Sequence, residues 1–177
     1  IGAVGEDEAG KLMLELLSEE EINLDAVANV KGEATGQAYI MVDDLGQNSI
    51  MIHAGANNAF TPAHVQAHQA IIEKSDFIIA QFESHLASTI QAFEIAKKAG
   101  VKTILNPAPA MEKVPEELLR LTDIIIPNET ETEILTGIKI TDEASMQKAA
   151  QKLHDLGIEG VIITVGSKGA YYDVHGE

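Results

Sequence analysis

The sequence contains no cysteine and no tryptophan, and arginine occurs only once, at Arg120. The lack of cysteine excludes disulfide bridges, thiolate zinc sites and thiol catalysis. Aromatic residues make up only 4% of the chain, so no platform for stacking nucleic-acid bases is apparent. No apolar run approaches the ~20 residues that a membrane-spanning helix needs, and no signal-like segment is present. We therefore expect a globular, cytoplasmic protein.

Basic residues are also scarce: 12 lysines and arginines face 28 aspartates and glutamates, giving a formal net charge of −16. Such a surface repels a phosphate backbone, so we expect no nucleic-acid partner. A small anionic ligand remains compatible with this charge if backbone N–H groups and a metal ion hold it.

The pattern of apolar residues predicts an α/β fold. Residues 36–43 and 48–53 are rich in β-formers and are joined by DLGQ, which indicates a hairpin. From residue 62 onward, helical segments alternate with continuous apolar strands, as expected where helices cover both faces of a parallel sheet. These strands are predicted at residues 76–83, 102–110, 123–128, 160–166 and 169–174.

The two ends of the chain resemble the interior of a fold. IGAVG at residues 1–5 is typical of a buried strand, and YYDVHGE at residues 171–177 ends in a sequence typical of a hairpin turn. We therefore expect an interior piece of a longer chain.

Four predicted strands carry unusual residues at their carboxyl ends, where open α/β sheets bind ligands. Glu83 follows one of these strands, and its carboxylate could accept hydrogen bonds from a polyol or could cap the next helix. The segment TVGSKG, residues 164–169, could let a phosphate approach the backbone or could be a plain tight turn. The NPAPA segment, residues 106–110, is better explained as structural, since its prolines fix the backbone.

The remaining strand end is followed by three carboxylates in the segment PNETETE, residues 127–133. A helix that begins near Glu129 gains from acidic residues in its first turn. One of Glu129, Glu131 and Glu133 could instead point into the cleft and order a hydrated Mg²⁺ ion. The residue pattern leaves open which one does so.

With these segments in hand, the chain resembles the ribokinase family of carbohydrate kinases over essentially its whole length. The matching segments are VGEDEAG at 4–10, TGQA at 35–38, HAGAN at 53–57, QFE at 81–83, LNPAPA at 105–110, PNETE at 127–131 and TVGSKG at 164–169. HAGAN, QFE and NPAPA together favour the ribose kinases of the family over its other members.

The resemblance implies a three-layer α/β/α, Rossmann-like domain with a mainly parallel sheet and a small β-sheet lid that pairs two subunits. Residues 33–54 would form the lid, and residues 1–32 and 55–177 would belong to the α/β domain, incomplete at both ends. A homodimer through the lid follows from the resemblance alone.

The resemblance also implies roles for individual residues. Glu83 matches the glutamate that hydrogen-bonds the sugar, and Ala38 and Ile50 match lid residues that pack on it. Glu131 matches the glutamate that organises Mg²⁺ through water. The residues expected to lie along ATP are Asn128, Thr164, Val165, Gly166, Ser167, Lys168 and Gly169.

The activity that the resemblance implies is ATP-dependent phosphorylation of D-ribose at the 5-hydroxyl, with Mg²⁺ and with K⁺ as a further possible activator. The family's amino-terminal sugar contacts would precede Ile1, and its catalytic base and monovalent-cation site would follow Glu177. The chain alone is therefore expected to be inactive. The alternatives are another sugar or nucleoside kinase of the family, or a non-catalytic sugar- or nucleotide-binding module if the chain truly ends at Glu177.

Overall fold

In the computed structural model, which describes residues 1–174, helices and strands form two compact units. Unit 1 comprises residues 1–68 and 83–88, and unit 2 comprises residues 69–82 and the chain from residue 89 onward. Within residues 1–174, every helix is too short or too polar to cross a bilayer. The turn expected at residues 175–177 lies outside the described residues.

Unit 1 combines a β–α–β motif with a hairpin. Its elements are β1 (Gly2–Gly5), α1 (Glu8–Glu19), β2 (Val27–Val30), β3 (Gln37–Val42), β4 (Asn48–His53), a 3-10 turn (Gly55–Ala59) and α2 (Pro62–Ala67). Strands β1 and β2 pair in parallel, and β3 and β4 pair antiparallel with Ile40 opposite Ile50. The predicted hairpin is therefore confirmed, while β2 was not predicted.

Unit 2 contains a five-stranded sheet in the order β5-β6-β7-β8-β9, in which only β9 runs antiparallel. The strands are β5 (Phe77–Ala80), β6 (Lys102–Leu105), β7 (Ile124–Ile125), β8 (Gly160–Thr164) and β9 (Ala170–Val174). The helices are α3 (Gln69–Ile72), α4 (Leu86–Ala99), α5 (Glu116–Arg120), α6 (Glu129–Thr136) and α7 (Glu143–His154), and the first turn of α4 lies in the unit 1 segment 83–88. The alternation of strands and helices confirms the predicted α/β class.

The core of unit 2 lies where strands meet helices. Its fully buried side chains include Phe93 of α4, Leu105 of β6, Ile125 of β7, Leu153 of α7 and Ile163 of β8. Burying an apolar side chain of this size contributes roughly 1.5–3 kcal/mol, so these contacts hold the strand ends at fixed positions.

Several predicted elements differ from the observed ones at their boundaries. The strand predicted over 76–83 ends at Ala80, so Glu83 lies in a bend three residues beyond the strand rather than at its end. The neighbouring strand, predicted over 102–110, ends at Leu105, although the Phe82 N–H still donates to the Ala108 carbonyl at 2.8 Å beyond both strand ends. The helix predicted over 62–75 is interrupted at His68, which separates α2 from α3.

A buried carboxylate, Asp123, ties β6 to the residue before β7. It is 7% exposed, and it accepts hydrogen bonds from the Lys97 ammonium at 2.5 Å and from the Thr103 backbone N–H at 2.8 Å. Burial acts to raise the pKa of Asp123, but the hydrogen bonds from Lys97 and Thr103 outweigh burial and hold the pKa below its ordinary value of 3.8. The ionised form is therefore the one that stabilises the fold.

Replacing Asp123 by asparagine is expected to lower the free energy of unfolding by about 2 kcal/mol at neutral pH, because a charged hydrogen-bond acceptor is lost. A carboxylate whose pKa is lowered in the fold stabilises fully above its ordinary pKa of 3.8, and this stabilisation is lost as the pH falls through the lower folded-state value. Urea unfolding of the wild type and the variant should therefore differ at neutral pH and converge in acid. Asp44→Asn, which makes the same charge change at an exposed position, is the control. A constant difference at all pH values would contradict this account.

Candidate functional site

At the carboxyl ends of β7 and β8, two residues that are predicted to bind the nucleotide lie side by side. Asn128 and Thr164 form an isolated parallel bridge, and the Thr164 N–H donates to the Pro127 carbonyl at 2.9 Å. This bridge continues the β7–β8 pairing beyond the end of β7, so the residue that begins α6 lies beside the last residue of β8. Both side chains are exposed, which leaves them accessible to a ligand.

Helix α6 begins with a capping box formed by Asn128 and Glu131. The Asn128 Oδ1 accepts from the Glu131 N–H at 2.8 Å, and the Glu131 Oε2 accepts from the Asn128 N–H at 2.9 Å. This reciprocal arrangement satisfies two N–H groups that a helix start would otherwise leave unpaired. It also fixes the Glu131 carboxylate at the carboxyl-terminal edge of the sheet.

The structure separates the three carboxylates that sequence reasoning left together. Glu131 is 6% exposed, whereas Glu129 and Glu133 are exposed to solvent. Glu129 lies in the first turn of α6, where acidic residues were expected, and the Glu131 carboxylate in addition accepts a hydrogen bond from the N–H of the N-cap residue Asn128. Glu131 therefore has a structural role in addition to any role toward a metal.

The segment 164–169 forms the tight connection between β8 and β9. The Val165 N–H donates to the Gly169 carbonyl at 2.9 Å, and residues Gly166–Lys168 form a 3-10 turn. Gly166 and Gly169 have φ angles of 55° and 99°, which residues other than glycine rarely adopt. The turn therefore exposes its backbone and the Lys168 side chain beyond the end of β8.

A cavity of about 300 Å³ lies beside this connection in unit 2. Its lining includes Lys168 but also the carboxylates of Glu129, Asp142 and Glu143. Burial, followed by a hydrogen bond to Asp173, raises the pKa of Tyr171 on the cavity wall to about 12, so this hydroxyl stays protonated. The excess of negative charge makes the cavity a poor site for an uncompensated triphosphate.

In unit 1, Glu83 is exposed and precedes the first residue of α4 by three positions. Within residues 1–174 its carboxylate has no hydrogen-bond or ion-pair partner, so it does not cap α4. The segment that carries it is nonetheless anchored, because the buried Ser88 hydroxyl donates to the Phe60 carbonyl at 2.7 Å. Among the residues that the structure describes, Glu83 is thus an unpaired carboxylate on an anchored segment.

The hairpin β3–β4 places Ala38 and Ile50 on the same face. Ala38 lies opposite Ile52, and Ile40 lies opposite Ile50, so these four side chains share one face of the two-stranded sheet. Both faces are open to solvent within unit 1, since Ile50 is 53% exposed and Tyr39, on the other face, is 55% exposed. An exposed apolar surface of this kind is typical of a binding or association surface.

Sequence reasoning assigned no role to Asp7 and Thr35, which the structure joins by hydrogen bonds at the base of the hairpin. They lie in the matching segments VGEDEAG and TGQA, and this was the only signal in the sequence. A contact between residues that are 28 positions apart leaves no periodic pattern.

The whole chain, residues 1–177, matches the family described as pfkB family carbohydrate kinase. It is 49% identical over 172 residues to a bifunctional ribokinase/ribose-5-phosphate isomerase A of Fructilactobacillus sanfranciscensis, covering 97% of this chain and 32% of that protein. It is 44% identical over 177 residues to a ribokinase of Haemophilus influenzae, covering all of this chain and 58% of that protein. The chain thus spans little more than half of the second relative and about a third of the first.

Solved structures resemble this chain over nearly its whole length and over a little more than half of their own. A structure of Arabidopsis thaliana ribokinase complexed with ribose and ATP matches with a TM-score of 0.91 and 37% identity, covering 100% of this chain and 58% of that one. A Thermotoga maritima ribokinase matches with a TM-score of 0.83 and 30% identity, covering 99% and 56%. These matches confirm the predicted ribokinase-like α/β fold. The chain belongs to the pfkB family of carbohydrate kinases.

Proposed function

We propose that the full-length protein transfers the γ-phosphoryl group of ATP to the 5-hydroxyl of D-ribose and so produces ribose 5-phosphate. One observation carries the proposal: similarity to the H. influenzae ribokinase, at 44% identity, extends over all 177 residues. The similarity at 37% identity to an A. thaliana ribokinase complexed with ribose and ATP supports the same pair of substrates.

We assign sugar binding in unit 1 to Glu83, with Ala38 and Ile50 packing on the sugar from the hairpin. An exposed carboxylate without a partner among the described residues can accept hydrogen bonds from two sugar hydroxyls. Ala38 and Ile50 share one face of the hairpin and offer apolar contact to the carbon skeleton. We propose that residues 33–54 act as the lid.

We assign ATP binding in unit 2 to Asn128 and to residues 164–169. The bridge between Asn128 and Thr164 supports a common ligand for both side chains. The Lys168 ammonium and the exposed backbone of the turn supply positive charge and N–H donors, which suit an anionic nucleotide. Phosphoryl transfer depends mainly on positioning and on neutralising charge, which are the contributions these residues can make.

We propose that Glu131 organises Mg²⁺ through water. A carboxylate is a hard oxygen ligand, and Mg²⁺ is commonly held by one or two carboxylates together with water and substrate phosphates. No cluster of three or more His, Cys, Asp or Glu side chains suited to a metal occurs within residues 1–174, which agrees with an ion held largely by phosphate and water. Bound there, Mg²⁺ would supply the positive charge that a chain of net charge −16 lacks. K⁺ activation and a cytoplasmic location remain predictions from the sequence.

We propose that the hairpin also pairs two copies of the chain. Seven large apolar side chains on it are at least half exposed, namely Tyr39, Ile40, Met41, Val42, Ile50, Met51 and Ile52. Large exposed apolar surfaces favour association, because pairing removes them from water. Light scattering should therefore find the full-length protein as a dimer, and a monomer at micromolar concentration would contradict this assignment.

The experiment that tests the activity measures ATP consumption by the full-length protein with D-ribose, deoxyribose, fructose, adenosine and no sugar. The deoxyribose sample is included because a Salmonella typhi deoxyribokinase is 34% identical over 169 residues. Ribose-dependent turnover with ribose 5-phosphate as product would support the proposal. Preference for another acceptor would keep the kinase and change its substrate. Binding of sugar or ATP without turnover would favour a non-catalytic module.

A further inference from the structure

Three segments of unit 1 meet at the base of the hairpin β3–β4. They are residues 4–10 at the β1–α1 junction, residues 33–36 before β3 and residues 54–57 after β4. All three fall in segments that sequence analysis singled out, VGEDEAG, TGQA and HAGAN, and most of their residues have no role in the function proposed above. Why these three segments are joined at the base of the hairpin therefore needs a separate explanation.

The centre of this junction is the hydrogen-bond pair Asp7–Thr35. The Asp7 Oδ2 accepts from the Thr35 backbone N–H at 2.8 Å, and the Asp7 Oδ1 accepts from the Thr35 hydroxyl at 2.5 Å. The Thr35 Oγ1 in turn accepts from the Gly5 N–H at 2.9 Å. Thr35 is 6% exposed, so these groups have few alternative partners in water. One carboxylate and one hydroxyl thus join β1 to the chain that enters the hairpin.

The carboxylate of Asp7 does more than cap a helix. Its Oδ1 also accepts from the Gly10 N–H at 2.8 Å, which is the ordinary N-cap bond of α1. Asp142 caps α7 in the same way, but its bonds are with Ser145, three residues away. The reach from Asp7 to Thr35 spans 28 residues and is not needed to begin α1. Hydrogen bonds from Thr35, followed by that from Gly10, lower the pKa of Asp7, so it stays ionised at neutral pH.

Both ends of the hairpin are held by this junction. The carbonyl of Ala34, next to Thr35, accepts from the Ala56 N–H at 2.8 Å, which joins the entering and leaving chains. The end of β1 packs against the same crossing so closely that a Cβ atom on Gly5 would lie 2.3 Å from the Glu33 carbonyl oxygen. The base of the hairpin is therefore fixed to β1 and α1, while its strands remain exposed.

We propose that Asp7 and Thr35 are positioning residues that set the orientation of the hairpin and so present Ala38 and Ile50 to the sugar. This inference rests on the proposed function, because it takes the hairpin to be the sugar-covering lid. Thr35 lies two residues before the first residue of β3 and three before Ala38, so a change in its backbone position is transmitted directly to that strand. Loss of the contact should weaken sugar binding more than the chemical step.

The test uses Thr35→Val in the full-length protein, which removes the hydroxyl at nearly constant shape. The KM for the sugar should rise about tenfold with kcat changed less than about threefold, since uniform binding is lost. Backbone amides of residues 37–53 should exchange with deuterium about tenfold faster, while those of β6 and β8 keep the wild-type rate. Thr35→Ser, which retains the hydroxyl, should restore both values.

Two further variants keep the test decisive. Asp7→Asn retains an acceptor for the Gly10 N–H but turns an NH2 group toward the Thr35 N–H. It should therefore raise the KM and the hairpin exchange rate as Thr35→Val does. It replaces Thr35→Val in the test if that variant does not fold. Asp142→Asn is the matched control for hydrogen exchange, because it alters an N-cap aspartate whose side chain accepts from Ser145 of its own helix.

Unchanged exchange in the hairpin, or an equal rise in exchange throughout unit 2, would overturn the proposal. If the wild-type protein phosphorylates no sugar, the proposed function fails, yet the exchange measurement still decides whether Asp7 and Thr35 hold the hairpin. Selective acceleration in the hairpin then supports the structural half of the inference and its absence refutes it.

Discussion

Replacing Glu83 by alanine in the full-length protein is expected to lower kcat/KM for ribose at least about 100-fold. A carboxylate that accepts two hydrogen bonds from sugar hydroxyls contributes about 1.5–3 kcal/mol for each bond, and a loss of 1.4 kcal/mol corresponds to a factor of ten. The free energy of unfolding should stay within about 0.5 kcal/mol of the wild type, since the side chain is exposed and has no partner within residues 1–174.

Steady-state kinetics with ribose and a urea titration measure these two effects separately. The matched control is Glu19→Ala, which removes an exposed carboxylate from the last residue of α1 in the same unit. Glu19→Ala should leave kcat/KM unchanged. Equal activities of Glu83→Ala and the wild type would remove Glu83 from the sugar site, whatever the substrate proves to be.

The sequence predicts best those strands whose apolar residues follow one another because both faces of the sheet are buried there. The strands β7 and β8 carry uninterrupted runs of isoleucine and valine, and each is paired on both sides in the sheet. The strand β2 escaped prediction because its four residues, VANV, are too short to show a period and include a polar asparagine. Its partner is β1, and only that long-range pairing identifies it as a strand.

Boundaries and long-range contacts are the parts of the site that the sequence predicts poorly. The rule that ligands bind at the carboxyl ends of parallel strands correctly predicts that Asn128 and Thr164 lie at one edge. It does not predict that Glu83 lies in a bend three residues beyond the end of β5. Nor does it reveal the Asp7–Thr35 contact, because nothing local requires it.

Replacing Glu131 by glutamine in the full-length protein is expected to lower kcat by about 100-fold while leaving the fold almost intact. The capping box can keep its geometry, because glutamine also accepts a hydrogen bond from the N-cap N–H at this position. The free energy of unfolding should therefore change by less than about 1 kcal/mol. The negative charge that would order Mg²⁺ and its waters is lost, so the Mg²⁺ concentration giving half-maximal rate should rise several-fold.

The control Glu133→Gln makes the same charge change two residues away on an exposed side chain. It should alter neither kcat nor the dependence on Mg²⁺, because a carboxylate in solvent is screened from the site. Asn128→Ala tests the capping of α6 separately from the ordering of Mg²⁺. It removes the cap and should lower the free energy of unfolding by about 1 kcal/mol, whereas Glu131→Gln should not. If Glu131→Gln retained full turnover with an unchanged Mg²⁺ dependence, the buried carboxylate would serve only to begin α6, and the metal would have to be held by other groups.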